Sequence, residues 1–316
     1  MPKRFNRHFR PKHRILGSLF IGFTLTLYTV ITVRDEGFLW CPKCEGCYID
    51  LWTSHLLYDD QEIINYIKEQ VLDPPQEHPP NPPRSEDLYN TTWEGIGDWI
   101  VVQTIIRSIF ALRKNGLFVE VGAGDGVFLS HTSWLEVELG WKGLLIEPRN
   151  KPYKELRLRR KAASAMACAS DEFFSKKDVF WTPILGDDIS SSLYNKISDG
   201  KSTLLTYVAP EDHHLGTTTS VQCFSLRALI FAAVENTDTI DFLVIHTMGG
   251  EANILETVRD FTVLVLLIRY HTRIDLDDID GYAKTMDMKL YEGLKAIPNR
   301  YIIFVSNKVR FVAETP

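Results

Sequence analysis

Positive charge is scarce beyond the start of this 316-residue chain. Six of its 35 Lys and Arg fall within residues 1–14, leaving 29 against 41 Asp and Glu in the remainder. So acidic a body excludes a general nucleic-acid binder, which needs basic surface to neutralise phosphates. Hydrophobicity is too low for a polytopic membrane protein, with a mean hydropathy of -0.10; that average still admits one span. Internal repeats are lacking, which excludes repeat architectures. What remains, 45% hydrophobic and 24% charged residues, fits a globular fold and not a disordered or collagen-like chain. The length allows one large domain, or two small ones, with extras.

One stretch, ILGSLFIGFTLTLYTVITV at 15–33, lacks both charge and proline over 19 residues. As a helix it spans about 28 Å, the hydrocarbon thickness of a bilayer. A buried core helix rarely lacks a polar face for that length, and a signal peptide has a shorter apolar region and a small-residue cleavage site. Lys3, Arg4, Arg7, Arg10, Lys12 and Arg14 precede the span without any acid. The positive-inside rule then places residues 1–14 in the cytosol and 34–316 in a lumen or outside. The chain reads as a type II signal-anchor protein with a single membrane span. The sequon Asn90-Thr91-Thr92 lies on the outer side and is a glycan acceptor.

Cysteine is sparse, with five in all. Cys41, Cys44 and Cys47 form the run CPKCEGC. His55 is near, but a second ligand pair at the usual spacing is lacking, so no metal is expected. In an oxidising lumen, local disulfides or a disulfide-linked dimer through these three cysteines fit better. Cys168 and Cys223 sit in apolar strand-like runs, either as buried thiols or as a disulfide if the fold brings them together. Residues 58–72 predict an amphipathic helix, with Ile63, Ile64, Ile67 and Val71 at helical spacing. Six prolines between positions 74 and 83 exclude helix and central strand, leaving a linker or a wrapping segment. The chain thus divides into a cytosolic tail (1–14), a signal-anchor (15–33), a stem with Pro-rich linker (34–94) and a domain (95–316).

Within that domain, strand-like apolar runs alternate with helical stretches. The runs are Leu117–Val121, Gly143–Ile146, Ala165–Ala169, Val179–Pro183, Phe242–Ile245 and Val263–Ile268. Helical stretches fall at Trp99–Lys114, Pro152–Lys161, Leu226–Asn236 and Glu251–Phe261. Such alternation of two-sided apolar strands with helices predicts a mostly parallel α/β sheet. Two runs near the end, Met288–Leu294 and Arg300–Val305, predict a terminal hairpin with one antiparallel strand.

The chemical signal is Leu117-Phe-Val-Glu-Val-Gly-Ala-Gly-Asp-Gly126 at the first strand. Glycines at a strand-to-helix turn let a ligand approach the backbone, but G-x-G-x-G is not the dinucleotide spacing G-x-G-x-x-G. Glu120, before the turn, suits an ammonium group. Glu147, at the end of the next strand, can accept from both hydroxyls of a ribose. Glycine turn, amino-acid clamp and ribose carboxylate together describe S-adenosylmethionine (SAM), within a Rossmann-like methyltransferase fold.

The stretch LFVEVGAGDGVFLSHTSWLEVELGWKGLLIEPRN…RKAASAMACAS resembles the FkbM-type methyltransferase domain, most of all its animal branch that includes the Star proteins. The shared features are a G-A-x-D-G turn, L-S-x-T, W-x-G-L-L-I-E-P, R-K-A…A-C-x-S, and V-Q-C-F-S-L at 221–226. The similarity covers roughly 95–316. It implies SAM contacts at Glu120, Gly122, Gly124, Asp125, Gly126, Glu147 and Ser170. Family members typically carry D-x-E-G-A-E at the end of the fourth strand; here His246-Thr-Met248-Gly-Gly-Glu251 stands there, and Arg269 replaces an acid often found after the fifth strand. His246 is then either a base, its ordinary pKa of about 6.5 being well placed, or an ordinary strand-end histidine. Met248 cannot accept a proton.

Two functions follow. In the first, the domain keeps the fold without transferase activity and binds proteins in the secretory pathway. Resemblance to the Star branch implies carriage of membrane-bound growth-factor precursors from endoplasmic reticulum to Golgi, and a role in EGF-receptor signalling. The implied location is those membranes, with the plasma membrane or endosome as further sites. The second function is a lumenal SAM-dependent O-methyltransferase acting on a glycan or small hydroxylated acceptor. Elsewhere, Trp134 and Trp141 are expected in the core, His213-His214 in a loop, and Arg157–Lys161 on a solvated helix face.

Overall fold

The computed structural model describes residues 38–40, 48–50, 60–84, 96–185, 196–198, 200–234, 237–270, 273–291 and 301–309. The expected span 15–33, Cys41, Cys44, Cys47, His55 and the sequon at Asn90 lie outside the described residues. Among the described residues no helix is long and apolar enough to cross a membrane. The chain divides into two units, Met1–Ser54 and His55–Pro316. In the first, β1 (Phe38–Trp40) and β2 (Tyr48–Asp50) pair antiparallel, Phe38 opposite Asp50.

The second unit opens on helix α1 (Gln61–Tyr66), which continues as a π-helical turn at Ile67–Val71. Ile63 and Ile67 carry the buried face. Strand β3 (Leu72–Asp73) then pairs antiparallel with Ala163–Ala165. The proline-rich segment that follows wraps the domain. Gln76 donates its backbone N–H to the Lys161 carbonyl at 2.9 Å and its side-chain amide to Arg157 and Arg160 carbonyls, and Asn81 donates to the Leu158 carbonyl at 2.8 Å. Prolines lack the N–H that would continue a ladder, so the segment is held through its non-proline residues.

The remaining elements in order are α2 (Ile96–Phe110), β4 (Leu117–Val121), α3 (Ser133–Leu139), β5 (Lys142–Ile146), α4 (Asn150–Arg159), β6 (Ala163–Ala165), β7 (Cys168–Ser170), β8 (Lys176–Pro183), β9 (Thr203–Leu204) and β10 (Gly216–Ser225). After them come α5 (Leu226–Ala233), β11 (Thr239–Ile245), α6 (Glu251–Glu256), β12 (Thr262–Arg269), α7 (Arg273–Thr285), β13 (Met288–Leu290) and β14 (Tyr301–Ser306). The eight-stranded sheet runs β13-β14-β12-β11-β4-β5-β6-β3. Strands β6, β5, β4, β11 and β12 are parallel; β14 is antiparallel to both of its neighbours, as the expected terminal hairpin requires. The chain moves outward from β4 to β5 and β6 on one side, then returns to β11 and β12 on the other. Such a reversal opens a crevice at the carboxyl ends of β4 and β11, where open α/β sheets bind ligands.

Both faces of β4, β11 and β12 are covered, which is why these strands read as unbroken apolar runs. On one face Phe110 packs edge-on against Trp141 (4.8 Å) and Phe242 (5.3 Å), and Trp134 and Trp141 are buried as expected. Helix α2 reaches that core with Val102, Ile106 and Phe110, spaced one or so turns apart.

Two runs depart from their sequence reading. Ala165–Ala169 is two strands in different sheets, β6 and β7, turned at exposed Met166. Val179–Pro183 belongs to β8 in a separate sheet of order β7-β10-β8-β9, where it runs antiparallel to β10. The polar stretch ahead of Val221 is not all loop. Pro210–Leu215 is a 3-10 helix and Gly216–Ser220 is the exposed half of β10, whose threonines suit a strand with one solvated face. Apolar runs mark strands, but partner and direction come from tertiary pairing.

Candidate active site

The crevice at the ends of β4 and β11 is a cavity, and six of the eight residues singled out from sequence line it: Glu120, Gly122, Gly124, Asp125, Glu147 and His246. Gly126 and Ser170 do not. Ser170 is buried at the end of β7, accepting the Glu172 N–H, and Gly126 packs on the Arg160 side chain. Their neighbours Ala169 and Asp171 reach the cavity instead.

The glycine turn is fixed by close approach and by ligand-side space. At Gly122 (φ +80°) a Cβ would lie 2.0 Å from the His246 carbonyl oxygen. At Gly124 (φ +55°) a Cβ would meet nothing within 4 Å, so only backbone conformation and the cavity call for glycine. Asp125 closes the turn by accepting from Val127 and Phe128 N–H (2.9 and 2.7 Å), and pairs with Arg159 at 3.1 Å.

Beneath the turn lies a buried ionic group that the sequence reading missed. Arg160, expected on a solvated helix face, is fully buried because α4 ends at Arg159 and Arg160 turns inward in extended conformation. Its guanidinium stands between Glu136 (3.3 Å) and Glu120 (3.8 Å) and donates to the Gly126 carbonyl at 2.8 Å. Glu120 also accepts from Ser130 Oγ (2.8 Å), Thr132 Oγ1 and the His131 N–H (3.1 Å). Burial pushes its carboxyl above the ordinary range, although Arg160 and these donors pull the other way. Glu120 therefore anchors the 130–132 loop.

Glu147 is buried at the β5 end. It accepts from Gly124 N–H at 2.9 Å through one oxygen, and from Arg149 N–H (3.1 Å) and Nε (2.8 Å) through the other. A carboxylate offers about four lone-pair positions, so capacity remains for hydroxyl donors. Opposite, Tyr207 presses its ring against Gly249 and Gly250, donates to Asp171 at 2.6 Å and lines the cavity. Burial pushes the Asp171 pKa up, but the hydrogen bonds from Lys176 and Tyr207 and the Lys176 charge outweigh it and hold the carboxyl below its ordinary value. Neither residue carried a sequence signal, since both reach the site from the small sheet and its loops.

At the carboxyl end of β11 two of the three departures from the family pattern, His246 and Arg269, meet. Arg269 Nη1 lies 2.8 Å from His246 Nε2. Guanidinium only donates, so Nε2 is the unprotonated nitrogen and its lone pair is occupied. Burial first, then the Arg269 charge, pull the His246 pKa well below its ordinary value. Met248 follows in left-handed conformation (φ +61°), its carbonyl accepting from Thr203 Oγ1 at 3.1 Å. Cys168, also in the wall, forms a disulfide with Cys223 across β7 and β10, with Cα atoms 4.5 Å apart. The sequence had left that pairing open. Among the described residues no group of His, Cys, Asp and Glu could hold a metal ion.

The sequence profile of the methyltransferase FkbM domain matches residues 120–292. Among solved structures, the chain is similar to the methyltransferase FkbM from Methylobacillus flagellatus KT, with 12% identity and a TM-score of 0.35. That match covers 60% of this chain and only 43% of the other, so this chain spans under half of that protein's length. No curated protein matches it.

Proposed function

We propose, from the premise that this chain belongs to the methyltransferase FkbM domain family, that its domain keeps a nucleoside-binding cavity without running methyl transfer to oxygen. The observation that carries this reading is the His246–Arg269 contact. SAM, when bound, supplies an electrophilic methyl group. The residues present fit it. Glu147 has acceptor capacity for a ribose, the Gly122–Gly124 turn gives backbone access with open space at Gly124, and Phe128, Leu129 and Ile146 offer apolar wall. The hydroxyl acceptor, however, must lose a proton. His246 offers its only lone pair to Arg269, the Met248 thioether is too weak a base to take a proton, and the guanidinium opposes positive charge building on the imidazole.

The finer reading follows the resemblance to the Star branch. The chain is a type II protein anchored by 15–33, with its domain in the lumen of the endoplasmic reticulum or Golgi, and it assists carriage of membrane-bound growth-factor precursors. The Cys168–Cys223 disulfide supports an oxidising compartment. The intact cavity favours one other reading, an active secretory-pathway O-methyltransferase, which requires Arg269 to leave His246.

Calorimetric titration of SAM and of its demethylated product into the purified chain tests this, beside Glu147→Ala and a methyl-transfer assay. Binding that is lost in Glu147→Ala, with no turnover, is expected. Turnover of SAM with any cellular acceptor overturns the reading, and absence of binding removes its cofactor half.

A further inference from the structure

Arg269, at the end of β12, has no carboxylate within ion-pair distance among the described residues. Its contacts are the His246 ring at 2.8 Å and the Tyr301 ring, 5.8 Å from centroid to guanidinium carbon. A guanidinium is charged at any accessible pH and carries five N–H donors, so most of its donors are unused by the described residues and its charge has no counter-ion among them. A third basic side chain contacts the same Tyr301 ring. His131 is 1% exposed, held edge-on to Tyr301 at 5.7 Å and tilted against Trp99 at 6.0 Å, and neither of its ring nitrogens has a hydrogen-bond partner among the described residues. A buried imidazole left without partners is costly and calls for an explanation. Glu120, which accepts from the His131 backbone N–H, is taken up by Ser130, Thr132 and Arg160.

We propose that Arg269, His246 and His131 form a binding site for an oxyanion carried by the ligand that enters the cavity beside His246. Arg269 supplies the fixed charge and a fork of donors that matches a carboxylate, sulfate or phosphate group. Each imidazole offers an N–H; of the three side chains His246 alone stands in the cavity wall, so an anion would reach Arg269 and His131 past its ring. The ligand class is thus an acidic molecule, in contrast to a neutral hydroxylated acceptor. Burial, and after it the Arg269 charge, hold both imidazoles neutral, His131 down to about 3. An anion would relieve that repulsion. The inference rests on the cavity being a ligand site, as proposed above, but not on SAM occupying it.

The test is titration of sodium sulfate, sodium phosphate and sodium acetate into the purified full chain at constant ionic strength, followed through the histidine ring resonances. Saturable shifts of the His131 and His246 signals with at least one anion are expected, and the anion that saturates first separates a tetrahedral ester from a carboxylate. Arg269→Gln is expected to weaken that binding at least tenfold, and Arg269→Lys, which keeps the charge without the fork, to weaken it less. Should Arg269→Gln fail to fold, Arg269→Lys and His246→Gln decide by the same readout. No saturable shift with any of the three anions, or equal affinity in the Arg269 variants, overturns the proposal. SAM calorimetry on the same samples separates the two readings. SAM binding without anion binding defeats only this one, and anion binding without SAM binding defeats only the cofactor reading.

Discussion

Breaking the Cys168–Cys223 disulfide tests how the small sheet is tied to the cavity. The bond closes a loop of sequence separation 55. Chain-entropy scaling assigns a loop of that length about 4 kcal/mol at 25 °C. For a domain of this size that corresponds to a fall in Tm of about 8–16 °C. Cys168→Ala, Cys223→Ala and the double variant are compared by urea unfolding of the full chain. This design avoids reductant, which would also reach Cys41, Cys44 and Cys47. Because either single change removes the same bond, each is expected to cost about 4 kcal/mol and the double variant little more than one of them. Strictly additive single costs, or single costs below about 1 kcal/mol, would refute the reasoning, as would alkylation of both thiols in the native protein. The loss should also reach the cavity, since Cys168 lines it and Tyr207 packs on the same cluster. SAM affinity in the double variant is therefore expected to fall even where the protein stays folded.

Three further outcomes are expected. His131 is buried neutral, so its lowered pKa favours the fold fully above its unfolded value near 6.5 and loses that contribution as pH falls towards about 3. His131→Phe should flatten the acid limb of stability by about 1.4 kcal/mol per pH unit in that window, read by urea unfolding at pH 4 and pH 7. Gly122→Ala, whose Cβ meets a carbonyl at 2.0 Å, should prevent folding, whereas Gly124→Ala should cost only about 1–2 kcal/mol yet abolish ligand binding. Normal SAM affinity in folded Gly124→Ala would show that the cavity is not approached at that turn. Arg160→Met leaves Glu120 and Glu136 buried without their cation and should cost about 3–5 kcal/mol in the same assay; a neutral result would mean that the triad contributes no net stability.

Much of the fold was legible because its central strands are covered on both faces, and that condition writes itself into sequence as continuous apolar runs. The glycine turn was legible for a related reason: left-handed backbone at Gly122 and Gly124 leaves few residue choices. Glu147 could be placed at a strand end simply because it follows the run Leu144–Ile146. Arg160 could not. A run of basic residues reads as a solvated face unless the end of the helix is known, and where α4 stops was decided by the Glu136 carboxylate accepting the Lys161 and Ala162 N–H groups.

The central strands of the large sheet, the place of the glycine turn and the presence of His246, Met248 and Arg269 where the family carries acids are all written in the chain itself. That His246 and Arg269 touch follows from how the strands pair. They lie 23 positions apart, on adjacent parallel strands whose register sets Ile245 beside Ile268 and brings both side chains to one end of the sheet. The same holds for Cys168 and Cys223, opposite each other across β7 and β10, and for the tie of the proline-rich segment to α4. Hydrophobic pattern is a local property that each segment carries alone. Hydrogen bonds, ion pairs and disulfides need two partners at fixed distance, and strand register supplies that distance only after the chain has folded.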